Sequence, residues 1–243
     1  MDMSVGHLLI IRHRAQTLLL DTGSPVSIGR RPITRFLDRE IPLLPSYQGM
    51  TVEEWSETIG VHIDVLLGSD VLSRFDVTID PDAGAVVFDT APQNSRTAAA
   101  PLHTVAGMPV VVFGLAGRRL KALLHTGAML SCLRTADVGA YRLVGVARDH
   151  YPGIGEFTTD LRLVPLMFGD QPIMLECGRM PPTVERVLGP VDLHGIIGTN
   201  LLRTFSVGWR PGFGELRIVA RRRPAAPLGF VRFAAGLQIG RGS

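Results

Sequence analysis

A run of three leucines enters an acid-threonine-glycine turn at Leu18-Leu19-Leu20-Asp21-Thr22-Gly23-Ser24, and the pattern returns at Ala122-Leu123-Leu124-His125-Thr126-Gly127-Ala128. The copies extend past the turn: residues 21–30 lie over residues 125–134 with Thr, Gly, Ser and Arg at shared positions. A second pair follows downstream, Val65-Leu66-Leu67-Gly68 over Gly195-Ile196-Ile197-Gly198, and it continues through Phe75 and Val77 over Phe205 and Val207. The turn copies are offset by 104 residues and the glycine copies by 130, so the second repeat holds 26 more residues between its motifs. Two repeats of this size describe a duplicated lobe rather than a solenoid. They also place two reactive turns where a pseudo-twofold axis brings them together.

Between the motifs the chain reads mostly as strands. Val5 to Ile11 and Thr17 to Leu20 flank His13-Arg14-Ala15 as a hairpin that delivers Asp21. Val110 to Phe113 and Leu120 to Leu124 do the same for His125, with Gly117-Arg118 in the turn. Thr51 to Ile59 has a Thr cap, Glu in the first turn and Gly60 behind it, which predicts a short helix. Val77 to Ile79 and Ala85 to Phe88 flank a Pro-Asp-Ala-Gly turn. The reading divides the chain into a first lobe at 1–90, a linker at 91–104, a second lobe at 105–222 and a tail at 223–243. Phe230 to Ile239 either adds a last strand or hangs free. Most of the extra length in the second lobe falls in Tyr151-Pro152-Gly153-Ile154-Gly155 and two strand-like runs, Phe157 to Val164 and Pro172 to Cys177.

The ordered, doubled hallmark resembles the aspartic peptidases of the pepsin and retropepsin type. Their signature is an apolar strand, then Asp-Thr/Ser-Gly, and later two apolar residues and a glycine before a short helix. The resemblance covers most of residues 5–219 and implies an all-β, bilobal pepsin/retropepsin-like fold with short helices. It also implies a flap hairpin over the cleft, placed near 151–177, with His150, Tyr151, Gly153, Ile154 and Gly155 as its ligand-binding candidates. Gly153 and Gly155 would let the backbone lie close to a ligand. By the same resemblance, Thr22 and Thr126 bond across the axis, Gly23 and Gly127 shape the turns, and Ser24 is placed to bond Asp21.

The chemistry turns on residue 125. Peptide cleavage in that family needs two carboxylates sharing one proton around a water. Asp21 beside His125 forms an acid–imidazole pair instead, which removes that mechanism but keeps the capacity for proton transfer near neutral pH. Three functions remain open. The first is an enzyme whose Asp21 and His125 perform acid–base chemistry, a hydrolysis, isomerisation or cyclisation, on a small or peptide-like ligand. The second is a pseudo-peptidase that binds such a ligand without turnover. The third is an endopeptidase that pairs Asp21 from two chains.

Composition sets the remaining bounds. The 243 residues are 46% hydrophobic and 19% charged, enough for one large or two small lobes with real cores. A net charge of +3 with one basic run, Arg221-Arg222-Arg223, gives no nucleic-acid signature. No apolar run reaches the ~18 residues of a membrane span. Leu8 to Ile11 falls short of a signal core of about 7–15 residues. Cys132 and Cys177 do not make a disulfide framework. The expectation is a cytoplasmic monomer, with a homodimer as the alternative, and no nucleic-acid or membrane partner. His7, His13, His62, His103, His150 and His194 lack ligand spacing, so neither a metal nor a cofactor is expected. Trp55 and Trp209 read as core.

Overall fold

The computed structural model describes residues 8–89, 98–151, 155–222 and 233–234. The first repeat forms strands β1 (Ile10–His13), β2 (Gln16–Leu20), β3 (Ile28–Gly29), β4 (Ile33–Phe36) and β5 (Arg39–Pro42), then helix α1 (Val52–Ile59). Strand β6 (Val65–Leu67), helix α2 (Ser69–Leu72) and the hairpin β7 (Asp76–Asp80) and β8 (Ala85–Asp89) complete it. The second repeat begins with β9 (Ala98–Val105), β10 (Met108–Leu115), β11 (Arg118–Leu124), β12 (Ser131–Leu133) and helix α3 (Thr135–Val138). Long strands β13 (Leu143–Tyr151), β14 (Gly155–Phe168) and β15 (Gln171–Arg179) precede helix α4 (Pro182–Leu188) and β16 (Gly195–Ile197). The chain closes on β17 (Phe205–Trp209), β18 (Glu215–Ala220) and β19 (Phe233–Ala234).

The apolar run before each turn becomes a strand covered on both faces. Leu18, Leu19 and Leu20 are all buried, as are Ala122, Leu123 and Leu124. A strand buried on both sides has no polar alternation to show, and these two show none. Each runs parallel to its glycine-motif strand: β2 pairs β6 with Leu20 opposite Leu67, and β11 pairs β16 with Leu124 opposite Ile197. The backbone N–H of Asp21 then donates to Leu67 O, and that of His125 to Ile197 O, both at 2.9 Å. The duplication in sequence is therefore a duplication in backbone geometry.

Helix α1 forms as the sequence predicts. Thr51 accepts from the N–H of Glu54 while the Glu54 carboxylate accepts from the N–H of Thr51, and Gly60 closes the helix at φ 67°. The hairpins before Asp21 and His125 and the one around Ala83 also form.

Two sheets carry the molecule. A five-stranded sheet, ordered β19-β1-β2-β6-β3, belongs to the first lobe. A twelve-stranded sheet runs β13-β14-β15-β12-β16-β11-β10-β9-β18-β17-β7-β8 and crosses from the second lobe into the first. Its crossing point is the antiparallel pair β7–β17, where Val207 faces Ile79 and Trp209 faces Val77. These two strands are the repeat counterparts carrying Val77 and Val207, so the pseudo-twofold axis passes between them. Residues 98–104 of the stretch read as linker belong, with Val105, to a strand held between β18 and β10. Its alternating pattern was hidden by the Ala-rich composition of 98–100. Phe233–Ala234 pairs parallel with β1, so the tail contributes a strand, and it joins the first-lobe sheet. The expected two-lobed, pepsin-like all-β fold with short helices is present.

Candidate active site

The two turns meet at the axis through reciprocal threonines. The Thr22 N–H donates to Thr126 Oγ1, and the Thr126 N–H donates to Thr22 Oγ1, both at 3.0 Å. Each hydroxyl passes its own hydrogen on across the axis, Thr22 to Leu124 O at 2.5 Å and Thr126 to Leu20 O at 2.7 Å. All four groups are buried, where an unmet polar group is costly, so this network holds both turns in one register.

Serines that recur in the repeats brace the turns from behind. Ser27 Oγ accepts from the Gly68 N–H and donates to Asp70 Oδ1. Ser131 Oγ accepts from the Gly198 N–H and donates to Asn200 Oδ1. Ser24 departs from its expected role. Its hydroxyl donates to Val26 O at 2.7 Å, so it stabilises the loop rather than the Asp21 carboxylate.

The centre itself is an acid–imidazole pair. Asp21 Oδ1 and His125 Nδ1 lie 3.0 Å apart, with the two side chains 5% and 12% exposed. Each atom also accepts a backbone hydrogen two residues ahead: the Gly23 N–H donates to Asp21 Oδ1 at 2.8 Å and the Gly127 N–H to His125 Nδ1 at 3.1 Å. The imidazole nitrogen thus sits where the symmetric arrangement would put a second carboxylate oxygen. Nδ1 has one in-plane position: with the ring hydrogen on Nε2 it accepts from the Gly127 N–H, and with a hydrogen of its own it donates to Asp21 Oδ1 instead. In either form an ionised carboxylate and a neutral imidazole take up one proton between them.

The glycines make this approach possible. A Cβ on Gly127 would lie 2.5 Å from the Asp21 carboxyl carbon, and one on Gly23 would lie 2.3 Å from the His125 ring. Each repeat supplies the space that the other repeat's reactive side chain occupies.

A cleft of about 370 Å³ opens over the pair. Tyr151 forms one wall, with its ring edge-on to His125 at 6.4 Å between centroids. Burial and the nearby Asp21 carboxylate push the Tyr151 hydroxyl up to about 12, so it stays a hydrogen-bond donor. Leu130, Met180, Val184 and Ile196 give the second-lobe side an apolar floor. Tyr47, Gln48 and Trp55 line it from the first lobe, which moves Trp55 from the expected core to the cleft wall. Trp209 is core, fully buried with its indole N–H on Leu72 O.

The hairpin expected from 157–164 and 172–177 forms as β14–β15, and the hairpin before it, β13–β14, is the one that brings His150 and Tyr151 to the cleft. Strands β13 and β14 pair from Leu143–Arg162 to Tyr151–Gly155. The long polar strand β13 shows no alternation strong enough to announce itself in sequence. His150 and Tyr151 line the cleft, and Gly155 takes φ +84° at the end of the turn. Gly153 and Ile154 lie outside the described residues.

Asp149 was missed by the sequence reading. It lies in the cleft wall two residues before Tyr151 and hence on the same face of the strand. That spacing was the available signal. The backbone N–H groups of His150, at 2.8 Å, and Leu130 donate to its carboxylate. Burial nevertheless raises it to about 6, against the lowering pull of those donors and of His125 and His150. Cys132 also reaches the cleft, but burial pushes its thiol well above the ordinary range, which removes it as a nucleophile. His194 is occupied elsewhere, with Nδ1 2.8 Å from Asp137 Oδ2. Among the described residues no cluster of three or more His, Cys, Asp or Glu could hold a metal ion, and no helix is long and apolar enough to cross a membrane.

The fold and the paired turns define a two-lobed, all-β architecture with an Asp–His pair where the turns meet. No protein-family model matches the sequence, and no curated protein matches it. Among solved structures the chain is similar to the aspartic proteinase from Irpex lacteus, at 12% identity and a TM-score of 0.41, over 87% of this chain and 92% of that one. That likeness is too distant to assign residue roles, which come from the site's own geometry.

Proposed function

We propose that the protein is an enzyme in which Asp21 and His125 move a proton to and from a small or peptide-like ligand held between the lobes. The observation that carries this reading is the 3.0 Å contact between Asp21 Oδ1 and His125 Nδ1, with a glycine N–H behind each atom. Such a pair takes up one proton with little movement, because burial and the two turns already hold both side chains in place. The ligand this cleft suits has a polar reactive centre at the pair and an apolar arm toward Leu130, Met180 and Ile196. The test is turnover of a fluorogenic library of peptides and esters bearing apolar side groups. Asp21→Asn and His125→Ala each abolish it; full turnover in either variant overturns the reading.

The loss of a second inner carboxylate favours one alternative, a pseudo-peptidase that holds the same ligand unchanged. It is supported if a bound peptide is recovered intact after prolonged incubation, and excluded by any product that depends on Asp21. Pairing Asp21 across two chains is disfavoured by geometry, since His125 already fills the partner position within the chain.

A further inference from the structure

We propose that Asp149 is a second catalytic carboxyl in this cleft, the proton donor that works opposite the Asp21–His125 pair. The proposal rests on the acid–base reading of that pair and adds the acid that the pair alone lacks.

The geometry is specific. Asp149 lies on β13, shares a strand face with Tyr151, and lines the same cleft as Asp21 and His125. Two backbone N–H groups, from His150 and Leu130, fix its carboxyl group rather than leaving it in solvent. The titratable groups around it come from three elements. His125 faces it from the turn after β11, Cys132 from β12, and His150 and Tyr151 from its own strand. No lysine or arginine is among these groups, so nothing fixed and cationic holds it ionised. With burial raising it to about 6, it keeps its proton in mildly acidic solution, where a free aspartate would not.

The roles then divide as they do wherever two titratable groups are pushed apart by their surroundings. In the working state one proton sits on Asp149, and the Asp21–His125 pair can take up another across its 3.0 Å gap. For hydrolysis of an acyl bond, water adds to the carbonyl carbon and releases a proton into that gap. The bond from this carbon to the leaving nitrogen or oxygen breaks, and its electron pair stays with the leaving atom. That atom takes the proton of Asp149. The products are a carboxylic acid containing the water oxygen and a protonated leaving group. Return of the gap proton to Asp149 through solvent restores the starting state.

Two measurements on the full chain test this. The first is 13C NMR of protein labelled at its aspartate carboxyl carbons, which needs no substrate. A carboxyl titrating near pH 6 is expected in the unaltered protein and absent in Asp149→Asn. In His125→Ala its midpoint rises, because the lowering influence of the imidazole is gone. Titration of Asp149 in the ordinary aspartate range overturns the proposal. The second is the fluorogenic library. Asp149→Asn lowers kcat by about 100-fold with KM nearly unchanged, and it removes the fall in rate above about pH 6. Asp149→Asn with full kcat and an unaltered pH profile, alongside an inactive Asp21→Asn, overturns the role of Asp149 and leaves the dyad reading intact. An active Asp21→Asn overturns both.

Discussion

At the scale of single residues the site depends on atoms that are missing. Gly23 and Gly127 have no Cβ, and the imidazole and the carboxylate fill the two spaces. Gly127→Ala places a methyl group 2.5 Å from the Asp21 carboxyl carbon, where real Cβ contacts do not occur. The expected outcome is a displaced dyad, with activity lost and thermal stability lowered by overpacking of about 1–3 kcal/mol. A Gly127→Ala protein with unchanged activity and Tm contradicts that geometry. Asp149 makes a pH prediction of a different kind. Its folded value of about 6 lies above the ordinary 3.8, so between those values the native state binds more protons than the unfolded one. Stability from this group is therefore greatest at low pH and is lost as pH rises through about 6. Asp149→Asn removes that slope. Its stability relative to the unaltered protein improves between pH 4 and pH 7.5 by on the order of 1–2 kcal/mol, allowing for partial exposure. Urea denaturation at the two pH values measures it. Conversion of His125 to Asp rebuilds two inner carboxylates; acid-range peptide cleavage is the expected gain if the threonine scaffold is sufficient.

At the scale of elements, the turns and the strands that feed them were legible because they are repeated. Leu18 to Leu20 and Ala122 to Leu124 are strands with a fixed exit, and the glycines at 68 and 198 mark the strands beside them. The capping residues Thr51, Glu54 and Gly60 fixed α1 by local chemistry alone. Strand β13 escaped notice because it exposes Leu143 and Val146 and carries polar residues on both faces, so no period-2 signal survives. Asp149 was missed, and Trp55 was read as core alone, for a related reason: which wall of a cleft a residue lines depends on how distant strands pack, and neither position sits in a repeated motif. The reciprocal threonines give this scale its test. Thr22→Val keeps the shape but leaves the buried Thr126 N–H and Leu124 O without their partner. A loss of about 2 kcal/mol or more in urea unfolding is expected, larger than for a surface threonine.

At the scale of the whole molecule, the lobes are joined by one continuous ladder of strands and by a charge buried inside it. Arg217 on β18 pairs with Asp76 on β7, and both side chains are almost fully buried. Arg217 also donates to Val77 O, while among the described residues Asp76 Oδ2 has no hydrogen-bond partner. Arg217→Met therefore strands a carboxylate in the sheet and costs about 3–5 kcal/mol. Adding Asp76→Leu recovers much of that loss, because an apolar pair of similar volume needs no compensation. A single substitution without effect on the denaturation midpoint contradicts the burial.

The threonine bonds across the axis join residues 102 to 106 positions apart in the chain. Contacts of such separation form late, after local strands and helices have settled. Neither half of the polypeptide holds both Asp21 and His125, so the proposed chemistry waits until the halves have docked. During refolding from denaturant, recovery of catalysis should trail recovery of the far-ultraviolet circular dichroism signal. The dyad would thus serve as a clock for the last stage of assembly, readable through the proposed reaction.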